Sequence, residues 1–178
     1  RAHSVDASAV TANSSKVTVT VAPGVTRGLG YTVSNGIDNV TLSSGADTFT
    51  VATNAFLQST DTLIGGTGSD TVTFTDASAS TLALSAAQLA GFSGVETFNV
   101  NSASKYTVNL TDAIVAANYD ATNAKFTVSQ SSSGALVVDG SAISASSNLS
   151  LNGGSVADTL TGGAGDDTLT GGAGADSL

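Results

Sequence analysis

The residues of this chain most suited to chemistry are aspartates set among glycines at a fixed spacing. Asp158, Asp167 and Asp176 stand nine apart in the tandem phrases GGSVADTLT, GGAGDDTLT and GGAGADSL, and Asp70 stands in a separate copy, GGTGSDTVT, at residues 65–73. Each phrase opens on two glycines, carries its aspartate sixth and has an aliphatic residue eighth. Glycines this close together (Gly65, Gly66 and Gly68; Gly162, Gly163 and Gly165; Gly171, Gly172 and Gly174) suit a tight turn whose positive-φ conformations a Cβ would oppose. Such a turn presents backbone carbonyls, and the aspartate adds a carboxylate beside them. Those oxygens are what a hard cation such as Ca²⁺ takes, roughly six to eight of them at about 2.3–2.6 Å.

After each turn the sequence alternates. In Thr168-Leu169-Thr170 the leucine falls on one face and the threonines on the other, as in a short strand with one buried side. A turn and a strand in nine residues make half a coil of a solenoid. The four phrases resemble the RTX (repeats-in-toxin) nonapeptides. That resemblance implies a right-handed parallel β-roll in which two nonapeptides form one coil and calcium lies between turns two repeats apart. On that pattern Asp158 and Asp176 share a side with one ion between their turns. Asp167 lies on the other side, with its upper partner falling past the last residue. Val156 stands where the third glycine of the first tandem copy belongs, which puts that half-site in question.

The phrase persists upstream in weaker form. Residues 33–40 and 42–49 keep the fourth glycine, the sixth aspartate (Asp38, Asp47) and the eighth apolar residue, and Asp61 stands nine before Asp70. These read as four successive rungs with a bulge between Val51 and Thr60, so that Asp38 stacks with Asp61 and Asp47 with Asp70. The candidate calcium ligands are therefore Asp47, Asp70, Asp158, Asp167 and Asp176 with the turn glycines named above. Asp38 and Asp61, which lack most of the glycine set, are secondary candidates. Glu96 holds the aspartate's place in GFSGVETF; its longer side chain is expected to fit the turn poorly and leave that rung without calcium.

The elements that must position these acids follow from alternation. Strands are expected at Lys16–Ala22, Leu29–Ser34, Ser80–Leu84, Lys105–Leu110, Ala124–Val128, Ala135–Val138 and Asn148–Leu151. Short helices are expected after Ser85 and Thr111, both good N-cap types. Residues 1–15, small and polar, read as a linker or the end of an upstream region. Residues 16–152 read as a degenerate β-solenoid with small helical insertions, and 153–178 as the nonapeptide β-roll. The fold class is all-β, a parallel β-roll or β-helix.

Composition narrows the function. Acidic residues outnumber basic ones 14 to 5, for a net charge of −9 over 178 residues, and the five cations are scattered, which argues against nucleic acid. Only 11% of residues are charged, against about 25% in ordinary domains; hydroxyls and amides make up the polar surface. Without cysteine there is neither a disulfide nor a thiolate metal site. No apolar run of about eighteen residues spans a membrane. The single histidine, His3, offers no credible catalytic triad and no His-Glu-x-x-His pair, so no catalytic residue is expected.

The segment GVETFNV after LSAAQLAG also resembles surface-layer (S-layer) proteins of Gram-negative bacteria built on RTX rungs. That resemblance implies an extracellular, self-assembling structural protein exported by a type I route, with copies of itself as partners and a cell-surface polysaccharide as candidate anchor. The alternative is a calcium-responsive module of a larger secreted toxin, adhesin or hydrolase. A third use, binding ice or sugar through Thr-x-Thr pairs, is set aside here because the pairs recur only intermittently along the sequence.

Overall fold

A computed structural model describes residues 3–6, 9, 15–22, 24–119, 124–144 and 146–178. Alternating apolar and hydroxyl residues make sixteen strands among them. Eight lie in one sheet, in the spatial order β1 (His3–Asp6), β3 (Leu29–Thr32), β5 (Thr48–Val51), β7 (Thr71–Phe74), β10 (Thr97–Val100), β12 (Phe126–Gln130), β14 (Leu149–Asn152) and β16 (Thr168–Thr170). The chain alternates between this sheet and two four-stranded ones. The first holds β2 (Lys16–Thr20), β4 (Ile37–Thr41), β6 (Thr62–Ile64) and β9 (Phe92–Ser93); the second holds β8 (Thr81–Leu84), β11 (Lys105–Asn109), β13 (Leu136–Asp139) and β15 (Thr159–Thr161). Strands that follow one another within a sheet pair in parallel and come from successive coils, so the architecture is the all-β parallel solenoid expected.

One residue in two points inward. Phe49, Val72, Phe74, Phe98, Phe126 and Leu151 from the long sheet meet Val40, Leu63, Phe92, Tyr106 and Leu136 from the shorter ones, all fully buried. Aromatic rings run through the core edge to face: Tyr31 on Phe49 at 6.4 Å, Phe49 on Phe92 at 6.0 Å, Phe92 on Phe98 at 5.5 Å and Phe98 on Phe126 at 4.9 Å. Such pairs contribute about 0.5–1.5 kcal/mol each beyond their area.

The outward positions of the long sheet form two ladders. Thr48, Thr71, Thr97, Thr127, Ser150 and Thr168 are successive register partners, as are Thr50, Thr73, Asn99, Ser129, Asn152 and Thr170. The Thr-x-Thr pairs of this sheet stay intermittent in space as along the sequence, standing on β5, β7 and β16. Asparagine and serine take threonine's place on the intervening rungs, and no charged residue stands in either ladder.

Elsewhere the expected elements differ in detail. Within 1–15, read as a linker, His3–Asp6 form β1 and pair with β3; most of the remainder lies outside the described residues. The bulge expected between Val51 and Thr60 is a 3₁₀ turn, Asn54–Phe56, capped by Thr53. Strand pairing runs unbroken across residue 152, from β12 through β14 to β16 and from β13 to β15. The helices are α1 (Ala86–Leu89), closed by a Ser85–Gln88 capping box, and α2 (Asp112–Ala117), capped by Thr111. They mark the coil where one short sheet ends at β9 and the other begins at β8. There the fully buried Asn118 accepts the Val95 N–H and donates to the Phe92 carbonyl, satisfying backbone that the end of the sheet would leave unpaired.

Candidate calcium turns

Most of the turn acids reach across to the coil before them. The Asp38 N–H donates to Asp61 Oδ1 (3.1 Å), Asp47 N–H to Asp70 Oδ1 (2.7 Å) and Asp158 N–H to Asp176 Oδ1 (3.0 Å). The three pairs expected from alternating sides are therefore brought together. Leu29 N–H donates likewise to Asp47, Leu136 N–H to Asp158 and Leu149 N–H to Asp167, at 2.6–2.7 Å. Beneath Asp167 the donor is thus the Leu149 backbone, in the place where Asp70 meets Asp47. Glu96 corrects the expectation of a poor fit: its Oε2 accepts the Asp70 N–H at 2.7 Å, the same inter-coil bond its shorter relatives make.

The second carboxylate oxygen separates the turns into two kinds. In most, it accepts an N–H of its own turn: Asp38 from Ser34 (3.0 Å), Asp47 from Ser43 (3.3 Å), Asp61 from Gln58 (2.8 Å), Asp158 from Gly154 (2.7 Å) and Asp167 from Gly163 (2.5 Å). Asp70 and Asp176 differ. Asp70 Oδ2 is buried and meets no donor, and among the described residues neither Gly66 nor Gly172 donates to its turn's acid. The backbone explains this. Gly66 and Gly68 sit at φ +113° and +142°, and Gly172 and Gly174 at +96° and +130°, whereas Gly154, Gly163 and Gly165 do not enter that region.

These turns fit a calcium ion. Asp70 is fully buried above Asp47, itself 1% exposed. Burial, followed by the nearby charges of Glu96 and Asp47, pushes the Asp70 carboxyl up to about 7, against the Asp47 N–H that favours its charged form. A Cβ on Gly66 would fall on the Ser43 carbonyl oxygen, and one on Gly68 on that of Gly45, so backbone oxygens crowd the space between the stacked turns. Gly172 and Gly174 lie in the same way over the carbonyls of Gly154 and Val156. No three carboxylate, imidazole or thiol groups converge among the described residues. The centres are pairs of carboxylates completed by carbonyls, a donor set suited to a hard cation. Bound there, calcium supplies the positive charge that the stacked carboxylates lack.

Asp38 is satisfied without metal. Beyond the Ser34 N–H, its Oδ1 accepts the Tyr31 hydroxyl (2.5 Å) and the Ser34 hydroxyl (2.9 Å), and burial raises the Tyr31 phenol far above its ordinary range. Sequence reasoning missed Tyr31 in this role. It also missed Asp76, whose oxygens accept the N–H groups of Asn54 (2.7 Å) and Ser78 (2.8 Å) and the Thr53 hydroxyl (3.0 Å). Burial works against the Asp76 charge, but the Ser78, Asn54 and Thr53 donors outweigh it and hold the carboxyl below its usual range. Asp76 lies six residues past Asp70, outside the nonapeptide phase that drew attention to the others. Asp139 is exposed at the end of β13 and accepts the Ser141 N–H.

Comparison with known families agrees with this geometry. The RTX calcium-binding nonapeptide repeat matches in four copies, over residues 58–73 and 150–178. Those two segments are similar to RTX repeats, and calcium is the ion such repeats bind. No curated protein matches the chain. Nor does any solved structure.

Proposed function

We propose that this chain is a non-catalytic structural unit of an extracellular, self-associating surface protein of the S-layer kind, with calcium setting its fold and thereby its assembly. The observation that carries this reading is the outward face of the long sheet, where two uncharged ladders of threonine, serine and asparagine cross six successive strands in register. Apart from the buried Ser150, they offer hydrogen-bonding groups to a neighbouring copy at the strand spacing of about 4.7–4.9 Å, with no like charges to repel it. The stacked carboxylates supply the control. Calcium-poor conditions leave Asp70 over Asp47 uncompensated, and abundant calcium adds about 2.7 kcal/mol per site at a hundredfold excess over Kd. Type I export of a loose chain and anchorage to a surface polysaccharide belong to the same reading. Placing a lysine in the ladder, as in Thr73→Lys, should abolish ordered sheets or filaments in electron micrographs while circular dichroism stays unchanged. Assembly unaffected by that change would count against the face. A wild-type chain that folds with calcium yet stays monomeric would point to a module of a larger secreted protein.

A further inference from the structure

The turns do not rank by their match to the nonapeptide phrase. Asp167 lies in GGAGDD, with the full glycine set, yet its two oxygens are taken by the N–H groups of Leu149 (2.7 Å) and Gly163 (2.5 Å). Asp38 and Asp61 are likewise closed, one by Tyr31 and Ser34, the other by Asp38 and Gln58. In the Asp158–Asp176 pair the upper turn is open, but the lower carboxylate is held at 2.7 Å by Gly154, and Asp176 is partly solvated. Among the described residues, only at Asp47–Asp70 are three conditions met together. The upper carboxylate has a buried oxygen without a donor. Its turn glycines are already in the left-handed region. The lower carboxylate keeps one oxygen on the Leu29 N–H at 2.7 Å, but its second oxygen is held only by a long bond, 3.3 Å, from Ser43.

We infer that calcium loads this chain in an order set by the state of the turn backbone: first between Asp47 and Asp70, then between Asp158 and Asp176, with Asp167 last and Asp38–Asp61 serving as a metal-free staple. The inference rests on the calcium reading above and specifies how that site is regulated. An ion at Asp70 relieves a buried oxygen that has lost water without gaining a donor. An ion at Asp167 must displace the 2.5 Å bond from Gly163, where one at Asp47 meets only the 3.3 Å bond from Ser43 on the corresponding oxygen. The first ion therefore fixes the middle of the solenoid, and the tandem repeats respond at higher calcium.

The test is a calcium titration of the whole chain followed by two-dimensional amide NMR and by competition with a chromophoric chelator. The Gly66, Gly68 and Asp47 amide signals should move in the first step, the Gly172 and Gly174 signals later, and the Gly163 signal last, as its N–H leaves the carboxylate. Asp70→Asn, which keeps an acceptor for the Asp47 N–H, should weaken the tightest step at least tenfold. Asp167→Asn should leave that step unchanged. Earliest movement at Gly163 or Gly172, or an unaltered first step in Asp70→Asn, would overturn the order while leaving calcium binding intact. No calcium binding at all would overturn both readings.

Discussion

Asp70 lies directly over Asp47, taking the Asp47 N–H on one carboxylate oxygen at 2.7 Å while its other oxygen, fully buried, has no donor. A carboxyl in that position holds its proton to about 7, mainly through burial. The folded chain then binds this proton more tightly than the unfolded chain, whose carboxyl titrates near 3.8. In calcium-free buffer the Asp70 contribution to stability is therefore fully present below about pH 4 and lost as pH rises through about 7. Urea midpoints should fall across that window in the wild type and flatten in Asp70→Asn. Added calcium should reverse the trend, because it competes with the proton for the same oxygen.

The turn glycines separate two costs that sequence alone merges. Gly68 combines φ +142° with a Cβ position on the Gly45 carbonyl, whereas Gly24, at φ +90°, has nothing within 4 Å. Gly24→Ala should cost about 1–2 kcal/mol, from backbone conformation alone. Gly68→Ala should cost about 3 kcal/mol or more, since the coil beneath must also shift. Thermal denaturation of the two variants at saturating calcium measures the difference.

Tyr31 holds a buried charge rather than a metal. Tyr31→Phe keeps the ring against Phe49 but removes the donor to Asp38. The loss should be about 1.5–3 kcal/mol, the range for hydrogen bonds to charged groups, and should be the same with and without calcium. A calcium-dependent loss would show that Asp38 belongs to a metal site after all.

Asn118 closes the end of a sheet. Asn118→Ala would strand the Val95 N–H and the Phe92 carbonyl in the interior, at about 1–3 kcal/mol. Hydrogen exchange should quicken first at Val95 and through α2, while β14 and β16 keep their protection.

The nine-residue period made the aspartate stacks legible, because a period of two turns per coil brings Asp158 to Asp176 whatever lies between. The state of each turn was not legible. Gly66 and Gly163 hold the same place in the phrase, but Gly66 stacks on the Ser43 turn, while Gly163 stacks on the loop around Gly140 and Ile143. The neighbouring coil, not the phrase, sets the backbone. Tyr31 escaped notice for a related reason: a tyrosine seven residues before Asp38 becomes its partner only once the coil closes. The hydroxyl ladders needed the register, since Asn99 and Ser129 look unrelated to Thr73 until the strands are paired.

The central claim, that calcium sets this fold, is tested most directly by adding calcium to chelator-stripped wild-type chain and following β-structure by circular dichroism. The account predicts a cooperative rise in β-structure and in thermal midpoint with calcium, shifted to higher calcium in Asp70→Asn. A chain equally folded and equally stable in chelator and in calcium would contradict it.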